Sequence, residues 1–459
     1  MATSKFQSRE DNKGKIRVAI IGAGLSGLAV ANGLLKDPDE RFDVQIFERD
    51  TIAFSSERGG YQLRISLSGL NALKTVSSPE VWCKVREVWS EDQATAPTLV
   101  DPATFKALLR LDKHKWYPLS RSLPRLGLRR ALLEPMLAQG RVHFNYTFQR
   151  FEIISGDRSG VRLHFDGHDP ENADILIAAD GSNSLVNKQV GINNKIKLHS
   201  QFLVQSRGHI SQSVRDELPE SLVRDGPVLF FGGKHALGYM SIYKNTEELS
   251  EGQKASYQLF WSIIVSKAHG EELLAKAGSD PRKIVPHLVE YVRKELGYGD
   301  PFVRIMESAT EFIRTGPLTS SVKPEKDWRN GIDANSRVIL LGDAMHPMPP
   351  SRGMGANQAL TDAANLVDLF HHTTFKQSAP SDRELAALVS TFDEEMLTRA
   401  FNMVKSSEAL TSLDTSKVSG KIIVTFVGML MTAVGWVCSF LEIVGLKSKQ
   451  KLDFVSQEK

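Results

Sequence analysis

The sequence is short of cysteine. Its 459 residues include two, Cys83 and Cys438. Thiols so placed make neither a metal-ligand spacing nor a disulfide framework, so no metal is expected, and the expected compartment is reducing, the cytoplasm. Charge of one sign is also missing. Net charge is +3, and basic residues are scattered rather than striped, which argues against a nucleic-acid surface. The N-terminus, MATSKFQSREDNKGK, has no apolar stretch and is not expected to be a signal peptide. Residues 1–15 are expected to form a disordered leader. No internal repeat or low-complexity tract interrupts the rest.

Long apolar runs are rare, with one exception. Residues 422–440, IIVTFVGMLMTAVGWVCSF, are 19 in a row without a charge, preceded by Lys421 and followed by Lys447, Lys449 and Lys451. A spanning helix needs about 20 apolar residues. The run suits membrane association, spanning or interfacial, and equally a buried or amphipathic C-terminal helix; both readings stay open.

What is present is ordinary globular material, 41% hydrophobic and 24% charged, in a chain long enough for more than one domain. IRVAII reads as a buried strand, LSGLAVANGLLK as a helix and DVQIFE as a second strand, a βαβ unit. ADILIAADG is another buried strand, ending in Asp-Gly. Residues 195–265 alternate apolar and polar, the pattern of a half-buried antiparallel sheet. A helix is expected near 281–296. In RVILLGDAMHPMPPSRGMGANQALTDAANL, a strand ends in Gly342-Asp343, prolines and glycines follow, and a helix restarts. The expected fold is α/β: a discontinuous Rossmann-like domain (16–190 and 310–395), interrupted by an antiparallel β-sheet substrate domain (191–309), with a helical C-terminus (396–459).

Gly22, Gly24 and Gly27 form G-x-G-x-x-G directly after the first strand. The first glycine allows the tight turn, the second lets backbone approach a pyrophosphate, and the third lets helix and strand pack closely. The helix N-terminus offers N–H groups to the phosphates. Glu48 closes the next strand, 21 residues after Gly27. A carboxylate there accepts from ribose hydroxyls and would repel a 2′-phosphate, leaving NAD or FAD.

Three segments in order, GAGLSGL…FE, ADILIAADGSNSLV and LLGDAMHPMPPSRGMGANQALTDAANL, resemble flavin-dependent monooxygenases of the p-hydroxybenzoate and salicylate hydroxylase type. The resemblance runs over roughly residues 16–395 and implies FAD. It implies that Asp343 accepts from the ribityl chain, and that Gly355-Ala356-Asn357 aims a helix N-terminus at the flavin. SLPRLGLRRALL resembles the family's R-x-x-L-x-x-x-L helix, implying Arg125 as an FAD contact. RGGYQLRISLSGLNAL resembles the segment passing the flavin, with Gly60 closest. Gly342 and Asp180 belong to the same implied site. The family's Arg after the Asp-Gly motif is here Asn187, which puts the NADH or NADPH preference, or local packing, in question. His346 is expected to act structurally, and Met345, Met348 and Met354 to line pocket or core.

There is no second G-x-G-x-x-G and no redox cysteine pair, so a glutathione-reductase-like enzyme is disfavoured. The resemblance implies NAD(P)H as a transient donor, O₂ as co-substrate, and a C4a-hydroperoxyflavin. The oxygen atom would go into a hydrophobic or aromatic small molecule by hydroxylation or epoxidation, as in a secondary-metabolite pathway. LVQSRGHI and KHALGYMSIY resemble the strands that give Arg207 and Tyr239 as the catalytic pair; a sheet-surface charge and a core aromatic are the alternatives. Trp261 and His209 receive no role. A W-x-W-x-I-P halogenase motif is absent. The competing function is a non-oxygenating flavoprotein of the same fold, a reductase or an FAD-binding escort-type protein.

Overall fold

The computed structural model describes residues 5–6, 14–51, 61–89, 96–110, 120–155, 159–231, 237–244, 257–331, 335–375 and 380–411. Gly60 and the apolar run 422–440 lie outside them. The chain opens with β1 (Ile16–Ile21), α1 (Leu25–Leu34) and β2 (Phe42–Phe47). β2 is buried throughout and β1 nearly so, because helices cover one sheet face, where Phe42 meets Phe370, and Tyr146 and Phe165 pack on Phe47 from the other. β3 (Gln62–Ser66), α2 (Leu67–Val76) and α3 (Pro79–Glu87) follow. Ser78 caps α3 by accepting from the Val81 N–H, and Pro79 takes the first turn, where a missing N–H costs nothing.

β4 (Thr98–Val100), β5 (Ala107–Arg110) and β6 (Ser120–Pro124) lead into α4 (Arg125–Ala138). Next come β7 (Val142–His143) and a meander of β8 (Phe148–Ile154), β9 (Gly160–Phe165) and β10 (Glu171–Ala173). β11 (Ile175–Ala178) and α5 (Leu185–Gln189) close this half. The middle holds β12 (Lys195–Ile210), α6 (Gln212–Asp216), α7 (Glu220–Val223), β13 (Val228–Phe231), β14 (Leu237–Lys244) and β15 (Tyr257–Ser266). Then α8 (Lys267–Ala277), α9 (Ile284–Lys294) and α10 (Asp300–Ser308) form a helical layer. β16 (Phe312–Ser321), β17 (Val338–Leu340), α11 (Gly355–His372) and α12 (Asp382–Thr411) complete the described chain.

One sheet is wholly parallel, in the order β17-β11-β1-β2-β7. The order reverses at β1, which opens a crevice at the carboxyl ends of the strands. Gly22 follows β1, Glu48 follows β2, Asp180 lies just past β11, and Asp343 just past β17. The topology therefore gathers four widely spaced sequence positions at one rim.

The second sheet has seven strands, β16-β12-β15-β14-β13-β4-β5. One face buries Val204, Met240, Trp261 and Phe302 with the layer α8–α10. It reaches beyond the 191–309 expected for it. β16 joins from one side, and β4 joins from the other, pairing parallel with β13 through Thr98–Val228 and Leu99–Leu229. The borrowed strands cover edges that β12 and β13 would otherwise leave open. The expected leader also departs from expectation at two residues. Phe6 is 4% exposed in the core, and the Lys5 N–H donates to Glu171 Oε1 at 3.1 Å. Among the described residues, no helix is long and apolar enough to cross a membrane.

Candidate functional site

At the end of β1, Gly22 has φ +101°, and a Cβ there would lie 2.5 Å from the Ala179 carbonyl oxygen. A Cβ on Gly27 would collide with the Gly22 carbonyl oxygen. Gly24, the N-cap of α1, faces open space: no atom lies within 4 Å of where a Cβ would sit. Two glycines are thus demanded by the fold, and the middle one leaves room for something else. Glu48 is buried at the end of β2. Its Oε2 accepts from the Ala23 N–H at 2.7 Å and its Oε1 from the Asp50 N–H at 3.0 Å. Arg129 Nε donates to the Ala23 carbonyl at 2.9 Å. Burial pulls the Arg129 guanidinium below its ordinary value, while the Glu48 charge opposes that pull.

Past β11, Asp180 Oδ2 accepts from the Leu185 N–H at 2.9 Å, whereas its Oδ1 is buried without a partner. Burial raises its pKa against the hydrogen bonds from Ser184 and the backbone. Asn187, in place of the family Arg, is buried, and its side-chain nitrogen makes two hydrogen bonds. Its Nδ2 donates to the Ala344 carbonyl at 2.8 Å and to Asn194 Oδ1 at 3.1 Å. Asn194 in turn donates to the Met345 carbonyl at 2.8 Å. The substitution therefore gives a neutral clasp between the segments after β11 and β17. Beside it lies a polar cavity of about 170 Å³, lined by Ser182, Asn187, Lys188, Lys195 and Asp343 among others.

Gly342 has φ +60° and packs within reach of Ser26 and Ala359, pinning the turn between α1 and α11. Asp343 is open to solvent yet lies deep among protein atoms. That crowding raises its pKa, opposed by the charges of His346, Arg125 and Lys195. The N-terminus of α11 begins alongside, a Cβ on Gly355 falling 3.9 Å from Asp343 Oδ1. Met354, its N-cap, supplies no side-chain acceptor, so the first-turn N–H groups of Gly355, Ala356 and Asn357 are left for another partner. The Asn357 side chain is committed elsewhere. Its Oδ1 accepts from the Ser66 N–H at 2.7 Å and its Nδ2 donates to the Arg64 carbonyl at 2.9 Å, tying β3 to the helix start. Arg125 lies with its guanidinium 5.7 Å from the Tyr61 ring centre and adds positive potential at Asp343.

Arg207 and Tyr239 share the sheet face that points away from α8–α10. Arg207 is opposite Phe260, which is opposite Ser241; Tyr239 is opposite Ser262, one rung along. Arg207 stacks on Phe312 at 4.9 Å, and Phe260 is 6.1 Å from Tyr239 and 6.2 Å from Tyr61. Tyr239 is half-buried, and burial raises its phenol pKa, opposed by Arg64 and Ser241. The sheet face thus meets β3 and the start of α4. Trp261 points the other way, donating to the Ala309 carbonyl at 3.0 Å in the core, and His209 is exposed and paired with Glu311.

The residues fit an FAD. A backbone turn with room at Gly24, a ribose-height carboxylate, an uncapped helix start and a deep accessible carboxylate lie along one crevice. Sequence reasoning missed Arg129, one helical turn past Arg125, and Gln62, whose side-chain amide is buried with neither atom partnered. Asp362 was quoted only as part of a motif, yet it accepts from the Gly342 N–H at 2.8 Å, His346 Nε2 at 2.6 Å and Arg399 Nη2 at 2.7 Å.

Residues 307–403 match the family described as FAD binding domain. The FAD-dependent monooxygenase tazP of Aspergillus terreus is 27% identical over 412 residues, covering 83% of this chain and 94% of that protein. The 6-hydroxynicotinate 3-monooxygenase of Bordetella bronchiseptica is 26% identical, covering 81% and 87%. In structure, Klebsiella pneumoniae HpxO, solved with FAD and uric acid, matches with a TM-score of 0.65 at 16% identity, over 92% of this chain and 96% of that one. Motifs, relatives and architecture agree on an FAD-dependent monooxygenase, similar in fold to the single-Rossmann hydroxylases.

Proposed function

We propose that the chain uses NAD(P)H and O₂ to insert one oxygen atom into an aromatic or hydrophobic small molecule held against the Arg207–Tyr239 sheet face. The observation that carries this reading is the meeting of two halves. The crevice rim formed by Gly22, Glu48, Asp180 and Asp343 adjoins a sheet face bearing a cation, a phenol and aromatic rings. Bound in the crevice, FAD supplies the electron storage and O₂ activation that these side chains cannot.

The chain's own residues do the rest. Glu48 holds the adenosine ribose, and the turn at Gly22–Gly27 and Arg125 hold the phosphates. Asp343 holds the ribityl chain, Asp180 steadies the same region, and Gly342 sets the turn. The free N–H groups at Gly355, Ala356 and Asn357 stabilise negative charge at the ring. Tyr239, a phenol that burial makes still harder to ionise, donates a hydrogen bond to a substrate oxygen, and Arg207 stabilises a phenolate or carboxylate. Phe260, Phe312 and Tyr61 exclude water from that contact.

The purified protein should bind FAD and consume O₂ and NAD(P)H in equal amounts when a hydroxylatable aromatic is supplied. A protein that holds FAD, oxidises NAD(P)H with an alternative acceptor and never consumes O₂ would favour the non-oxygenating flavoprotein. Membrane attachment through 422–440 is part of the proposal and rests on the apolar run alone. Complete release by a carbonate wash would exclude a spanning helix.

A further inference from the structure

Gln62 is 7% exposed, and both ends of its side-chain amide, Oε1 and Nε2, are buried without a hydrogen-bond partner. Leaving one such atom unpaired is costly, and leaving a donor and an acceptor unpaired on one side chain doubles the cost. Such a group in a native fold calls for an explanation, and a bound ligand that completes both ends is one.

Its position fits. Side chains alternate along β3, so Gln62, Arg64 and Ser66 share a face, and Arg64 Nη1 reaches Ser122 Oγ across the ribbon at 3.4 Å. Arg64 also lies close enough to lower the Tyr239 phenol pKa. At its far end the ribbon is clasped to the start of α11 by Asn357. At its near end Tyr61 adjoins Phe260 and Arg125. The ribbon therefore runs between the ring end of the crevice and the proposed substrate face.

We propose that Gln62 reads a cis-amide edge, one N–H beside one C=O, on a bound planar heterocycle. A primary amide with both ends free is complementary to that edge: its oxygen takes the ligand N–H and its nitrogen gives to the ligand C=O. Two sources carry this edge, the pyrimidine ring of the flavin and a lactam or hydroxypyridine-type substrate. The inference rests on the monooxygenase reading for the second source but not for the first.

Gln62→Met keeps length and removes both polar atoms; Gln62→Glu keeps shape and removes the donor. Three quantities are read for each and for the natural chain. They are apoprotein thermal unfolding, the FAD dissociation constant by fluorescence quenching, and binding of 6-hydroxynicotinate against 4-hydroxybenzoate from the visible spectrum of bound FAD. Removing two hydrogen bonds should weaken the affected ligand about tenfold. Gln62→Met should unfold no earlier than the natural apoprotein, because it removes an unpaired group. Weakened FAD binding assigns the flavin as source. Unchanged FAD binding with a selective loss for 6-hydroxynicotinate assigns the substrate. Unchanged FAD binding without that selective loss overturns the proposal, and so does a Gln62→Met apoprotein that unfolds earlier. A natural chain that consumes no O₂ would refute the monooxygenase reading and leave the FAD arm standing.

Discussion

His346 Nε2 and Asp362 Oδ2 are 2.6 Å apart, and neither side chain is exposed to solvent. Burial opposes charge on both, yet pairing prevails: the His346 pKa is raised and that of Asp362 lowered. Asp362 also accepts from the Gly342 N–H, so the pair fastens the turn carrying Asp343 to α11, and Arg399 extends the fastening to α12. Asp362→Ala should cost about 3–5 kcal/mol, because it strands a buried imidazole, while Arg399 keeps Glu395 and Gln358. Thermal unfolding and retained FAD would both report it.

The same pair sets a pH dependence. A raised histidine stabilises fully below its ordinary value, about 6.5, and loses that stabilisation as pH rises through its folded value. A lowered carboxyl stabilises above its ordinary value and loses that as pH falls through its folded value. Stability should therefore decline on the alkaline side above about pH 6.5, and His346→Gln should flatten that limb in a series of unfolding midpoints. An unchanged alkaline limb would remove His346 as its cause.

Gly24 and Gly27 should separate binding from folding. Gly24→Ala meets no atom within 4 Å, so the protein should fold as before while FAD binding weakens. Gly27→Ala collides with the Gly22 carbonyl and should lower stability and FAD content together. Circular dichroism melts beside flavin absorbance distinguish the two.

These glycines were legible from sequence because each answers a local backbone demand, and Glu48 because a strand end fixes its height. What was not legible depends on distant pairing. β4 and β5 are three and four residues long, too short for a period-2 pattern, and they join a sheet whose other strands begin about a hundred residues later. Arg129 received no role from the sequence; only the packing of α4 on α1 turns it inward to the Ala23 carbonyl. Asn187 looked like a lost charge, and only the fold shows the Ala344 carbonyl waiting for its amide.

Asn187→Ala should therefore cost about 1–3 kcal/mol, by leaving the Ala344 carbonyl and Asn194 amide underused. Asn187→Arg, the family residue, must fit a longer charged chain into a buried site and should not rescue stability. Unfolding midpoints of the two variants, measured with FAD in excess, check this.

Tyr239→Phe should leave FAD binding intact and lower the fraction of NAD(P)H oxidation that ends in product, by about 10²-fold if the phenol moves a proton in the reaction. Product per NAD(P)H consumed is the measurement. Unchanged coupling would return Tyr239 to a packing role beside Phe260.

The central claim is that an oxygen atom from O₂ enters an organic substrate in this crevice. Incubation of the FAD-loaded protein with NAD(P)H, an accepted aromatic substrate and ¹⁸O₂, followed by mass spectrometry of the product, tests it directly. One labelled oxygen atom per product molecule is expected. Product without label, or NAD(P)H oxidation that yields only reduced oxygen across the aromatics tried, would contradict it.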